Sequence, residues 1–263
     1  MNRNKIIIGI VSLALVVFFV YSIINATKYS RMPSHKKSVL VEYTRNTPSI
    51  VGGEMIPPSS DGKYGIEMSY SFWMYIDDLN NNSNELLHLL HKGDYLANPS
   101  QAPGIWLKKD NNMANLVVKM NTFYLPKDCN NNNDNESCYL EKCSIGNIPT
   151  KKWVHITVVV INQNIDLYVN GFLKKRCLLR GIPRLNVGDV YIKQNNQQHG
   201  LYTFNGYLSK VYYYNYALPI WLIEKLSNEG PSSKIEDNIM SVIPPYFASS
   251  WWTKRYDNID HSV

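Results

Sequence analysis

The sequence predicts an all-β, two-sheet antiparallel jelly-roll sandwich, preceded by an N-terminal transmembrane helix and closed by one short C-terminal helix. Three observations carry this. From Gly65 onward the chain breaks into short runs that alternate apolar and polar residues at period two. Asn, Gly and Asp turns separate the runs, and no stripe of helical period interrupts them before residue 217. A chain of 263 residues with 44% hydrophobic content is able to bury a sizeable core.

Taken in order, the first element is the uncharged run Ile6–Ile24, nineteen residues preceded by Arg3 and Lys5. At about 1.5 Å per residue it matches the ~30 Å hydrocarbon layer. A cleavable signal peptide is the competing reading, with Ala26 as the small residue, but apolar cores of signal peptides run only about 7–15 residues. Residues 1–26 therefore read as an anchor. Residues 27–64 are rich in Ser, Pro and Gly with little periodicity, and read as a stalk.

The sandwich is expected over residues 65–230. In IEMSYSFWMYI, Met68, Tyr70, Phe72, Met74 and Ile76 share one face. Further strands are expected at GIWLKK, NLVVKM, WVHITVVVI, IDLYVN, DVYIK and YLSKVYYYNYAL. Residues 217–228, ALPIWLIEKLSN, read as a helix, with Pro219 near its start and Gly230-Pro231 beyond its end. CNNNNDNESC is an exposed insertion, and residues 231–263 form an aromatic tail.

Charge excludes one class of partner. The formal charge is +6, and setting aside Arg3 and Lys5 leaves 27 − 2 = 25 basic against 21 acidic residues, too balanced for a nucleic-acid binder. Orientation signals conflict. Lys28, Arg31, Lys36 and Lys37 after the anchor slightly favour a cytosolic domain. Four cysteines in the large domain, with sequons at Asn81 and Asn135, argue for an oxidising compartment. The reading adopted puts the domain on the non-cytosolic side.

Trp153-x-His155 opening an apolar strand, IDLYVNG, FNGYLSKVYYYNYAL and a short helix ending at Glu229-Gly230-Pro231 together resemble the concanavalin-A-like, laminin-G-type domain over about residues 65–230. The arrangement of Cys143, Ile148-Pro149, Trp153-Val154-His155, Asp166 to Gly171 and Lys175-Arg176-Cys177 also resembles membrane-anchored proteins of this fold encoded by large double-stranded DNA viruses of protists and algae. The resemblance implies a membrane-anchored, lectin-like binding module for carbohydrate or protein at a membrane or virion surface. A structural tether between a membrane and a viral capsid or coat is the alternative, and a glycoside hydrolase ranks behind both. Glucanases of this architecture carry Glu-x-Asp-x-x-Glu, which is absent here, and Asp77-Asp78 point to opposite faces of a strand. The chain is therefore read as a non-enzyme.

Candidate sites follow. Lys174, Lys175, Arg176, Arg180 and Arg184 fall within eleven residues, either as a patch for anionic glycans or an acidic protein surface, or as a solvated edge that discourages strand pairing. Trp251 and Trp252, beside Lys254 and Arg255, read as a partner- or membrane-docking element or as residues packed back on the sandwich. Domains resembling this one often bind Ca²⁺ at one rim, which makes Asp77, Asp78 and Glu85 weak ligand candidates. No cofactor is otherwise expected, and C-x8-C-x4-C lacks the short Cys pairs of a zinc site.

Four cysteines allow three pairings. Folding 151–161 back on 165–177 about Asn162–Asn164 pairs Ile161 with Ile165 and sets Cys177 opposite Pro149. Pro149 lies six positions after Cys143, which lets the chain loop back and selects Cys143–Cys177. Cys129–Cys138 would then close the Asn-rich loop.

Overall fold

The computed structural model describes residues 12–23, 35–62, 65–79, 86–97, 100–110, 113–124 and 139–236. The chain divides into two units, Met1–His35 and Lys36–Val263. In the first, α1 covers residues 12–23, and its described side chains are exposed. Twelve helical residues rise about 18 Å, and among the described residues no helix is long and apolar enough to cross a membrane. Residues 6–11 and Ile24 of the expected span lie outside the described residues.

The second unit is a two-sheet sandwich. The first sheet runs β1 (Lys37–Val41), β14 (Asn205–Tyr214), β4 (Gly65–Asp78), β9 (Trp153–Ile161), β10 (Asn164–Val169), β11 (Phe172–Leu178), with β3 (Ser60–Gly62) also on β4. The second runs β2 (Ser49–Val51), β12 (Asp189–Ile192), β5 (Leu86–Gly93), β6 (Gln101–Asp110), β7 (Met113–Asn121), β8 (Leu140–Pro149), with β13 (Tyr202–Thr203) on β5. Apart from the β13–β5 contact, which is parallel, the ladders are antiparallel.

Alternation places the core. Met68, Tyr70, Phe72, Met74 and Ile76 of β4 are buried between the sheets beside Val154, Ile156, Val158 and Val160 of β9 and Ile165, Leu167 and Val169 of β10. On the outer side of the first sheet, α2 (Ile220–Asn228) starts after Pro219 and packs Ile223 and Leu226 on Val159, Tyr168, Tyr212 and Tyr214. Asn170 and Gly171 both take positive φ, 50° and 83°, as the tight β10–β11 turn requires.

Two expectations change. The proposed stalk contains β1, β2 and β3, which extend both sheets: short strands in Pro- and Ser-rich sequence give little periodicity, and pairing partners rather than propensity define them. The domain also runs past Gly230, because Ile235 bridges Thr44 and the Glu236 N–H donates to the Thr44 carbonyl.

Candidate functional site

Cys143 on β8 is bonded to Cys177 on β11, with Cα atoms 5.9 Å apart. The route differs from the expected one. Residues 165–177 are two strands: Ile161 pairs with Asn164, and Cys177 lies opposite Ile165 on the far side of β10. The bond therefore joins an edge strand of one sheet to an edge strand of the other. Cys129 and Cys138 lie outside the described residues.

The basic cluster is dispersed by its own partners. Arg176 donates from Nε and Nη2 to the two carboxylate oxygens of Asp166, each at 2.6 Å, and Asp166 is only 2% exposed. Lys175 donates to the Ser144 carbonyl at 2.9 Å. Arg180 lies 3.5 Å from Glu141 and stacks its guanidinium 4.6 Å from the Tyr124 ring centre. Lys174 extends 5.8 Å from the Phe172 ring centre, and Arg184 is exposed. β11 is an edge strand, so the cluster also serves the edge-blocking role.

Glu141 organises the adjoining rim. Its buried carboxylate accepts from the Thr122 hydroxyl at 2.9 Å and from the backbone N–H groups of Arg180 and Gly181 at 2.8 and 3.0 Å. Burial pushes its pKa up, but those hydrogen bonds and Arg180 outweigh burial and hold it below the usual range. The bonds lock residues 180–181 against 121–124, where the Phe123 N–H donates to Ile182 and the Arg184 N–H to Asn121. Phe123 and Ile182 are left 69% and 50% exposed on this hydrogen-bonded turn beside Arg180 and Arg184. Replacing Glu141 by Gln puts an NH₂ where an acceptor is needed. We expect a loss of about 2 kcal/mol in urea unfolding; a loss under about 0.5 kcal/mol would show that the carboxylate does not hold the turn.

The residue model for laminin G type 3 domains, described as the concanavalin A-like lectin/glucanases superfamily, matches residues 55–219. The chain belongs to this superfamily. No curated protein matches it by sequence. Among solved structures, the binding domain of Paraclostridial Mosquitocidal Protein 1 aligns at 19% identity and a TM-score of 0.46, over 75% of this chain and 46% of that one. The binding domain of botulinum neurotoxin DC in complex with rat synaptotagmin II aligns at 14% identity and a TM-score of 0.47, over 74% and 46%. The chain thus spans less than half the length of either structure.

In this concanavalin A-like sandwich the two described calcium candidates, Asp77 and Asp78, have partners within the protein. Asp77 binds the Lys151 ammonium and Asn205, Asp78 accepts from the Leu79 N–H, and Glu85 lies outside the described residues. Among the described residues no three His, Cys, Asp or Glu side chains are grouped to hold a metal ion. Trp251 and Trp252 also lie outside the described residues. His155 is a buried structural residue: its Nε2 shares a hydrogen bond with Ser71 Oγ at 2.9 Å, and its backbone N–H donates to Asn170 Oδ1.

The sequence reading missed a second polar cluster on the outer side of the second sheet. The Gln194 N–H donates to His88 Nδ1 at 3.0 Å, so His88 carries its proton on Nε2 and donates to His91 Nδ1 at 2.7 Å. His91 Nε2 then donates to the Asp94 carbonyl at 2.7 Å. This neutral relay ties Asp94 and Gln194 to β5, under Tyr191, which stacks on His91 at 4.9 Å. The spacing His88-x-x-His91 was the available signal.

Proposed function

We propose that the chain is a non-enzymatic binding module whose rim takes a carbohydrate or protein ligand at a membrane surface, the N-terminal apolar run supplying the attachment and the domain lying on its non-cytosolic side. The observation that carries this reading is the rigid rim: exposed Phe123, Tyr124 and Ile182 with Arg184, all held on a turn fixed by Glu141. Preorganised aromatic and cationic groups lower the ordering cost of binding. Hydrolysis of a glycosidic bond needs two carboxyl groups about 5–10 Å apart across one cleft. Among the described residues the buried carboxylates are Glu141 and Asp166, on different sheets and each beside an arginine. Both therefore act in the scaffold.

The test is a glycan array probed with the full chain in detergent, with and without Ca²⁺. Saturable binding that falls at least about tenfold in a Phe123→Ala/Arg184→Ala variant of unchanged thermal midpoint is the expected result. Absence of any glycan binding, together with tight co-purification of a capsid or coat protein, would replace this reading with a tether.

A further inference from the structure

We propose that the outer face of the second sheet, along β6, β7 and β8, binds a polyanionic carbohydrate through Lys108, Lys119 and Lys142. The proposal goes beyond the rim and rests on the reading of the domain as a carbohydrate-binding module. Cross-strand register assembles the face in rows. One row is His91, Gly104, Lys119 and Lys142; the next is His88, Trp106, Val117 and Ser144; Lys108 follows between Leu86 and Asn115. The charged side chains of these rows are all lysines, and beyond them on β6 the Asp110 carboxylate accepts from Asn115 Nδ2 at 3.2 Å. Among the described residues none of the three is in an ion pair, whereas on the first sheet Asp77 holds Lys151, Asp166 holds Arg176 and Glu229 holds Lys210.

Like charges directly opposite one another on neighbouring strands destabilise a sheet. Lys119 and Lys142 are such a pair, and an anion between them turns the repulsion into attraction. The floor beneath is fixed. Trp106 Nε1–H donates to Gln101 Oε1 at 2.9 Å, and Gln101 Nε2 donates to the Ala97 carbonyl at 3.0 Å. Gly104 makes room for that carboxamide, since a Cβ there would lie 2.0 Å from Gln101 Oε1. The Lys119 ammonium sits 5.0 Å from the Trp106 ring centre, half-sheltered from water.

Shape and chemistry select the ligand. Ser144 and Gly146 are exposed on β8, while Val117 and Trp106 are only 9% and 6% exposed. The face therefore lacks the apolar centre of a protein interface and an open aromatic platform for stacking bases. A hydroxyl-bearing chain with sulfate or carboxylate groups needs neither. Burial, and then Lys142, lower the Lys119 pKa to about 8, so its charge is lost ahead of an ordinary lysine. The groups facing it are Lys142 on β8, Trp106 on β6, and neutral His91 on β5 beyond Gly104, while Lys108 stands two rows further along β6.

The experiment uses the full chain and fluorescence anisotropy with a heparin-derived oligosaccharide, polygalacturonate and neutral dextran. Lys119→Met/Lys142→Met should weaken binding of at least one polyanion by about tenfold or more at moderate salt, and Lys174→Met/Lys175→Met by less than about threefold. Binding to the native chain should weaken between pH 7 and 9, and Lys119→Arg, which keeps its charge there, should remove that dependence while folding and binding at pH 7 persist. Equal affinity of native chain and Lys119→Met/Lys142→Met overturns the proposal, as does failure to bind either polyanion. In those cases, rim-dependent binding of a neutral glycan leaves the rim reading standing.

Discussion

Lowering the pH from 7.5 to 4.5 is expected to remove about 5 kcal/mol or more of folding stability, most of it before carboxylates begin to titrate. The described buried histidines, His88, His91 and His155, are the cause. Burial, helped by Lys210, pushes His155 down to about 4, and burial holds His91 at about 4 against the opposing pull of the Asp94 carbonyl. His88, fully buried beside His91, is held well below its ordinary value. In the unfolded chain all three titrate near 6.5. Between these limits the unfolded state binds more protons, so stability is complete above about pH 7 and is lost as pH falls through the unfolded value toward the folded one. His91 and His155 each contribute about 2–3 kcal/mol of loss by pH 4.5, and His88 adds in the same direction. Geometry reinforces the sign: protonating His88 Nδ1 breaks its bond from Gln194, and protonating His91 Nδ1 breaks the bond from His88. Urea unfolding at pH 7.5, 5.5 and 4.5 measures the effect, and uptake of two to three protons on unfolding near pH 5 identifies its source. Flat stability across that range would mean that these rings titrate normally and are reached by water.

How much of this was legible depends on how each element announces itself. β4 alternates cleanly because one of its faces packs in the core, and Met68, Tyr70, Phe72, Met74 and Ile76 are buried there as read from the sequence. β5 was missed: register shifts between His88 and Leu90 and between His91 and Gly93 scramble the period of LLHLLHKG. The basic cluster was visible as composition but not as geometry. A plain two-residue turn at Asn170-Gly171 would set Asp166 opposite Lys175; one irregularity between Leu167 and Tyr168 sets it opposite Arg176 instead. That one-residue shift converts a candidate ligand arginine into the partner of a buried carboxylate. Lys108, Lys119 and Lys142 lie on three strands, and nothing local in the sequence groups them; the β6–β7–β8 register alone does so.

Replacing both Cys143 and Cys177 by Ala is expected to cost about 3–4 kcal/mol, the second large effect. The bond spans a sequence separation of 34 residues, and the chain-entropy relation gives about 3.7 kcal/mol for freeing a loop of that length in the unfolded state. The native contribution is specific to its place. β8 and β11 are the edges of two different sheets, so no ladder hydrogen bonds run between them, and the disulfide is a covalent tie across that opening, beside the Lys175–Ser144 bond. Alanine avoids placing a hydroxyl where Cys143 is buried. Because the effect acts mainly through the unfolded state, the variant should also expose more surface on unfolding and show a larger urea m-value. Urea unfolding of the native chain and the double variant under oxidising conditions measures both quantities. A stability change below about 1 kcal/mol with an unchanged m-value would mean that the sandwich holds its edges without the bond. A full loss, with the Glu141-held rim still binding ligand, would separate the two devices that meet at this edge: one fixes the sheets, the other fixes the turn.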